Sequence, residues 1–194
     1  MAKKSNRNTR GRIVSAAWKL FYEQGYEDTT VEEIIELSGT SKGSFYHYFD
    51  GKDALLSTLS SLFDEKYEEL TRLLTPEMTA MEQLLFLNRE LFHMIEDSIS
   101  LDLLARLYST QLTTNGEKHL LDHNRIYYKL LRKIIAKGQS EGQLSSRSNV
   151  NEMVKLYALC ERALLYDWCL CAGEYALTEY SAKVLPGFLS SFLP

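Results

Sequence analysis

Proline is scarce in this 194-residue chain, confined to Pro76, Pro186 and Pro194, and no stretch alternates β-branched with polar residues. Those two absences exclude a sheet protein and predict helix from Lys52 onward. Cysteine is scarce too: Cys160, Cys169 and Cys171 lie in one segment. An odd number so placed builds neither a disulfide framework nor a four-ligand zinc site, so reduced packing residues are expected. A redox-sensing thiol is the alternative, and it requires exposure and a lowered pKa. The most apolar stretch, residues 156–172, is broken by Glu161, Arg162 and Asp167, and the sequence starts polar, so neither a membrane span nor a secretory signal is expected. A cytoplasmic protein follows. Catalytic motifs are missing: Gly51-Lys52 has no glycine ahead of it as a phosphate loop requires, and there is neither a nucleophile elbow nor a zinc-protease helix. No enzymatic activity and no cofactor are expected.

Positive charge is not in excess, with 22 Lys and Arg against 26 Asp and Glu, a net −4. Spread evenly, that balance would oppose nucleic acid binding, because phosphates must be met by local cations. The charge is not even. Lys3, Lys4, Arg7, Arg10, Arg12 and Lys19 all precede the first carboxylate, Glu23. This basic arm is read as adding phosphate contacts, with a merely solvated tail as the alternative.

Directly after the basic region, residues 29–55 read as two short helices joined by a glycine turn. Thr30 and Glu33 have the spacing of a capping box; Val31, Ile34 and Ile35 give one apolar face, and Gly39 supplies a left-handed residue to end the helix. Ser41 caps the next helix, along which Phe45 and Phe49 lie four apart and face a core. Lys42, Ser44, Tyr46, His47 and Tyr48 are left to project. A helix fits the major groove, where base edges carry a distinguishable pattern of donors and acceptors, and these side chains suit bases or phosphates.

With Thr9-Arg10, Ile13, Ala16-Ala17, Leu20-Phe21, Gly25-Tyr26 and Thr29-Thr30 ahead of it, this segment resembles the TetR (tetracycline-repressor-like) family of bacterial transcriptional regulators over roughly residues 9–56. Ser38 stands where alanine is usual in that family and Thr40 where valine is usual. The resemblance implies a homodimer with Tyr46, His47 and Lys52 in or near the DNA contact and Thr30 capping beside a phosphate. The expected DNA-binding set is therefore Thr30, Ser41, Lys42, Gly43, Ser44, Tyr46, His47, Tyr48 and Lys52.

The expected architecture is all-α: a basic arm and three-helix DNA-binding domain over residues 1–52, then a larger helical effector-binding and dimerisation domain over 53–194. Within the body, periodicity predicts helices over about 53–74, 76–97, 101–113, 117–141, 150–172 and 177–192. From Leu156 the helix 150–172 is apolar nearly all round, and the last helix adds Tyr180, Val184, Leu185, Phe188, Leu189 and Phe192. Paired across a two-fold axis, these two would form an isologous four-helix interface.

Met94, Arg106, Tyr108, Tyr127, Tyr128, Tyr157, Tyr166 and Trp168 are the candidates for an aromatic and apolar effector pocket, with ordinary packing as the alternative for each. His119 and His123, four apart with Asp122 beside them, lack an identified third ligand, so no metal site is expected. Glu161, Arg162 and Asp167 are candidates for ion pairs or effector contacts. The function expected is a sequence-specific DNA-binding regulator, a repressor released from a pseudo-palindromic operator by a small molecule. A DNA-binding dimer whose body is a protein-interaction surface stays open.

Overall fold

The computed structural model describes residues 2–113 and 118–194, with side chains from Thr9 onward. The basic residues Lys3, Lys4 and Arg7 lie outside the described side chains. Helices make up the regular structure, and no strand occurs among the described residues. The chain divides into two compact units, residues 1–61 with 102–119, and residues 62–101 with 120–194.

In the first unit, α1 (Ala2–Gln24) is followed by α2 (Val31–Ser38), α3 (Lys42–Tyr48) and α4 (Lys52–Leu56). Ile13, Ala17, Phe21, Ile34, Phe45 and Leu55 form its core, each 0–1% exposed. Their spacing on α1 is helical, so one stripe of that helix is buried and the opposite face, including Arg12 and Lys19, meets solvent. Burying a phenylalanine such as Phe45 stabilises the fold by about 1.5–3 kcal/mol, enough for one side chain to anchor a seven-residue helix that propensity alone would not hold. α7 (Leu101–Thr113) starts at the last residue before the unit boundary and adds Leu103, Leu104 and Leu107.

α5 (Leu59–Thr71) follows α4 after a break, where one helix over about 53–74 is expected from periodicity. Hydroxyls explain the interruption. Ser57 Oγ donates to the Ala54 carbonyl at 2.7 Å, Thr58 Oγ1 to Leu55 at 2.6 Å and Ser60 Oγ to Ser57 at 2.7 Å. The backbone tightens with them, Thr58 N–H reaching the Leu55 carbonyl at 2.9 Å. Trp18 Nε1 donates to Thr58 Oγ1 at 2.9 Å and fixes the break against α1.

The second unit is built from α6 (Ala80–Ser98), α8 (Ile126–Ser140), α9 (Val150–Leu170) and α10 (Leu177–Leu189), together with most of α5. α6 begins at Thr79, whose side chain and Glu82 close a capping box, rather than in the turn after Pro76. The expected helix over 117–141 is shorter. Residues 119–121 are a 3₁₀ turn, and α8 starts at Ile126 because the Asp122 carboxylate accepts from Asn124 N–H at 2.8 Å and its carbonyl from Arg125 N–H at 3.2 Å. His119 and His123 consequently do not share an α-helical face. α8 comes close to α6 at Gly138, where a Cβ would stand 2.6 Å from Ala80 Cβ and 2.8 Å from Leu144. Pro186 is accommodated inside α10.

α9 buries Met153, Val154, Tyr157, Ala158, Leu164, Leu165 and Trp168 on one side. Its other side exposes Leu159 (52%), Ala163, Tyr166 (45%) and Leu170 (66%), a continuous row at steps of four, three and four residues. No helix among the described residues is long and apolar enough to cross a membrane.

Candidate nucleic-acid interface and body cavity

The first unit presents a capped helix pair. Thr30 accepts from Glu33 N–H at 3.2 Å while the Glu33 carboxylate accepts from Thr30 N–H at 2.7 Å. Two otherwise unpaired donors are satisfied reciprocally, a contribution of about 1 kcal/mol. These bonds also hold the Glu33 carboxyl below its ordinary range. Gly39, at φ 60°, ends α2 in the left-handed region, and its N–H returns to the carbonyls of Glu36 and Ile35. Ser38 and Thr40 bond to each other across the turn at 2.7 Å. Two hydroxyls thus link where two apolar side chains are usual. Ser41 then caps α3 by accepting from Ser44 N–H at 3.1 Å.

Along α3, Phe45 is buried and Phe49 follows it into the core, which turns Lys42, Gly43, Tyr46 and His47 outward. Tyr46 is 46% exposed and Tyr48 half-buried with its ring 4.8 Å from that of His47. Lys42 Nζ lies 3.3 Å from the Glu32 carboxylate, both side chains mostly exposed. Such a pair contributes about 0–1 kcal/mol and exchanges readily for a phosphate or a base edge. The outward row is therefore polar, aromatic and available.

Lys52 is placed differently. Its ammonium donates to the carbonyls of Tyr26 at 2.6 Å, Thr29 at 2.8 Å and Glu27 at 3.2 Å, and stands 4.3 Å from the centre of the Tyr26 ring.

Residues 13–59 match the family model described as bacterial regulatory proteins, tetR family. The amino-terminal segment is thus similar to the DNA-binding domain of that family. A transcriptional regulator from the lacX 3′ region of Lactococcus lactis is 39% identical over 56 residues, 28% of this chain and 29% of that one. The match thus covers under a third of that relative's own length. The fatty acid metabolism regulator protein of Bacillus subtilis is 23% identical over 178 residues, 90% of each chain. The structure of Thermus thermophilus FadR, a TetR-family repressor crystallised with lauroyl-CoA, superposes with a TM-score of 0.76 at 26% identity, covering 95% of both chains.

In the second unit, a half-open cavity of about 630 Å³ lies along α6 and α10. Met78, Leu85, Phe86, Ala182 and Pro186 give it apolar walls, and Glu77, Glu82 and Arg89 are its charged groups. Its lining also includes Asn88 and Ser181, 3% and 1% exposed, which lead into a buried polar chain. Ser181 Oγ donates to Asn88 Oδ1 at 2.6 Å; Asn88 Nδ2 donates to Glu161 Oε1 at 2.9 Å; Tyr127 OH donates to Glu161 Oε2 at 2.6 Å. Desolvation pushes the Glu161 carboxyl up, partly offset by those donors. The same burial, together with the neighbouring carboxylate, drives the Tyr127 and Tyr157 phenols far up.

The eight residues expected to form an effector pocket are not among this cavity's lining. Tyr127 belongs to the Glu161 chain, and Tyr157 OH donates to the Leu84 carbonyl at 2.8 Å. Tyr128 OH donates to the Leu120 carbonyl at 3.0 Å and accepts from Arg162 at 3.2 Å. Trp168 Nε1 donates to the Tyr175 carbonyl at 2.9 Å; Met94 is half-buried on α6, and Tyr166 is exposed. Arg106 and Tyr108 sit on α7 in the first unit, where Arg106 pairs with Glu27 and Asp102. Sequence reasoning missed Asn88 and Ser181. Asn88 does carry a signal, since it sits among Leu84, Leu87, Leu91, Phe92 and Ile95 on the apolar stripe of α6, where an amide implies a buried partner.

Of the three charged residues of α9 singled out in the sequence, Glu161 accepts from Asn88 and Tyr127, Arg162 donates to Tyr128 OH, and Asp167 accepts from Tyr175 OH at 2.8 Å. The cysteine thiols are raised by burial, Cys160 and Cys169 to about 11, and Cys171 is raised as well by desolvation and Asp167. None of these environments favours a thiolate.

Proposed function

We propose that this chain is a homodimeric, sequence-specific DNA-binding regulator of transcription, a repressor that leaves a pseudo-palindromic operator when a small molecule occupies its body. The observation that carries the reading is the outward row of α3, held on a doubly capped helix pair with Phe45 locking its depth. Lys42, Tyr46 and His47 read base edges, while Thr30, Ser41, Gly43, Ser44 and Tyr48 lie at or beside the backbone of the duplex. Residues 1–52 serve as the DNA-binding domain and 53–194 as the effector-binding and dimerisation domain. The regulator works without catalysis and in the cytoplasm.

Dimerisation uses α9 and α10. The exposed row Leu159, Ala163, Tyr166 and Leu170, with Tyr180, Val184 and Phe188 on α10, is the apolar surface such a partner would bury. For the effector, the cavity beside α6 and α10 is large enough for an apolar chain, and Leu85 and Phe86 supply its walls. The relatives crystallised with stearoyl-CoA and lauroyl-CoA make an acyl chain the first ligand class to try. A ligand that binds one conformation of the body better than the other shifts the population, and the paired readers then no longer match successive major grooves.

Selecting bound fragments from genomic DNA should yield a two-fold-related sequence. Acyl ligands that raise the thermal stability of the protein should release it from that sequence, and Ala182→Trp, which fills the cavity, should abolish both effects. Ligands that stabilise the protein while leaving operator affinity unchanged would remove the switch from this account.

A further inference from the structure

An ammonium has three N–H donors and no acceptor. At Lys52 three backbone carbonyls, those of Tyr26, Glu27 and Thr29, lie at hydrogen-bonding distance and take all three. Nothing is left to donate to a phosphate. The carbonyls belong to the loop that joins α1 to α2, and a second cation holds the same loop. Arg106 Nη2 is 2.5 Å from Glu27 and its Nε 2.8 Å from Asp102, with the guanidinium carbon 4.9 Å from the Tyr26 ring centre. Tyr26 itself is 4% exposed, packs its ring 5.0 Å from Phe21, and donates its hydroxyl to Asp53, the residue after Lys52.

The loop matters because it ends at Thr30, the cap from which α2 starts, and α2 carries α3. Thr29 is buried and bonds back to the Gly25 carbonyl at 2.7 Å. A loop fixed at Tyr26, Glu27 and Thr29 leaves α2 one starting position. A cation beside an aromatic face adds to such a hold, and Tyr26 has two.

We propose that Lys52 and Arg106 are positioning residues for operator recognition: they clamp the Tyr26–Thr29 loop and thereby set the α2–α3 reader, without touching DNA. The assignment rests on the DNA-binding reading above and separates from it experimentally. The Kd of the folded fraction is measured against salt, on the selected operator and on a random duplex of equal length. The proteins compared are wild type, Lys52→Met, Arg106→Gln and Arg106→Lys, with amide exchange followed over residues 25–30.

A clamp predicts that Lys52→Met and Arg106→Gln lose affinity for operator several-fold more than for random duplex, with the salt slope kept and the loop amides exchanging faster. Arg106→Lys, which retains the charge toward Glu27, recovers part of the loss. A phosphate contact predicts the opposite: equal losses on both duplexes and a slope smaller by about 0.9. That result, or unchanged operator affinity, overturns the proposal. If Lys52→Met does not fold, Arg106→Gln and its lysine counterpart decide alone. Wild-type protein that binds neither duplex would defeat the DNA-binding reading itself.

Discussion

His47 and Glu161 are both polar residues among aromatic rings, yet exposure gives them opposite consequences. His47 projects from α3, so replacing it with alanine should leave stability within about 0.5 kcal/mol. If it reads a base, discrimination at one operator position should fall by about 1–3 kcal/mol, measured by competition between operator variants. Equal loss on every sequence would move His47 to the backbone. Glu161 is buried, and its pKa in the fold lies above the ordinary value of 4.5 because desolvation disfavours the carboxylate. The native state therefore holds the proton more tightly than the unfolded chain. That stabilising contribution is complete below the unfolded value and is lost as pH rises through the folded one. Glu161→Gln should flatten this fall in a series of thermal melts across that window, and a variant whose stability keeps the wild-type slope would show that Glu161 is not its source.

At the scale of elements, legibility followed periodicity and failed where local hydrogen bonding competed with it. The ends of α2 could be read because Thr30, Glu33 and Gly39 act within their own segment, and α7 and α9 because their apolar positions repeat without interruption. The break between α4 and α5 was hidden: leucines continue through it, and the hydroxyls of Ser57, Thr58 and Ser60 decide it. The outward row of α3 was readable for the same reason as α2, since Phe45 and Phe49 fix which face of α3 is buried. The carbonyl contacts of Lys52 were not, because those partners lie 23 to 26 residues away in the chain. The same holds for the cavity, whose Asn88 and Ser181 meet across 93 residues. Close packing of α8 on α6 gives an element-level prediction. Gly138→Ala gains up to about 1 kcal/mol of helix propensity. Its new methyl, however, meets Ala80 at 2.6 Å and Leu144 at 2.8 Å. Overpacking of this kind costs about 1–3 kcal/mol, so a net loss is expected in urea unfolding, and a stabilised variant would show that the two helices part easily.

In the whole molecule, the proposed reader acts together with a symmetric partner. A single recognition helix reads only a few base pairs, whereas two held by a two-fold axis select a palindromic site and exclude half-sites. The exposed row of α9, Leu159, Tyr166 and Leu170, is where that axis would be lost most directly. Two acidic substitutions there, Tyr166→Glu with Leu170→Glu, place charges in the proposed interface while leaving the buried side of α9 untouched. Sedimentation of the wild-type and doubly substituted proteins, alone and on the selected operator, separates paired from single readers. A wild-type dimer that binds the full site as two protomers is expected, together with a substituted monomer that retains its fold but binds full site and half-site alike. Wild-type protein that sediments as a single chain and binds the half-site as tightly as the full one would contradict that expectation.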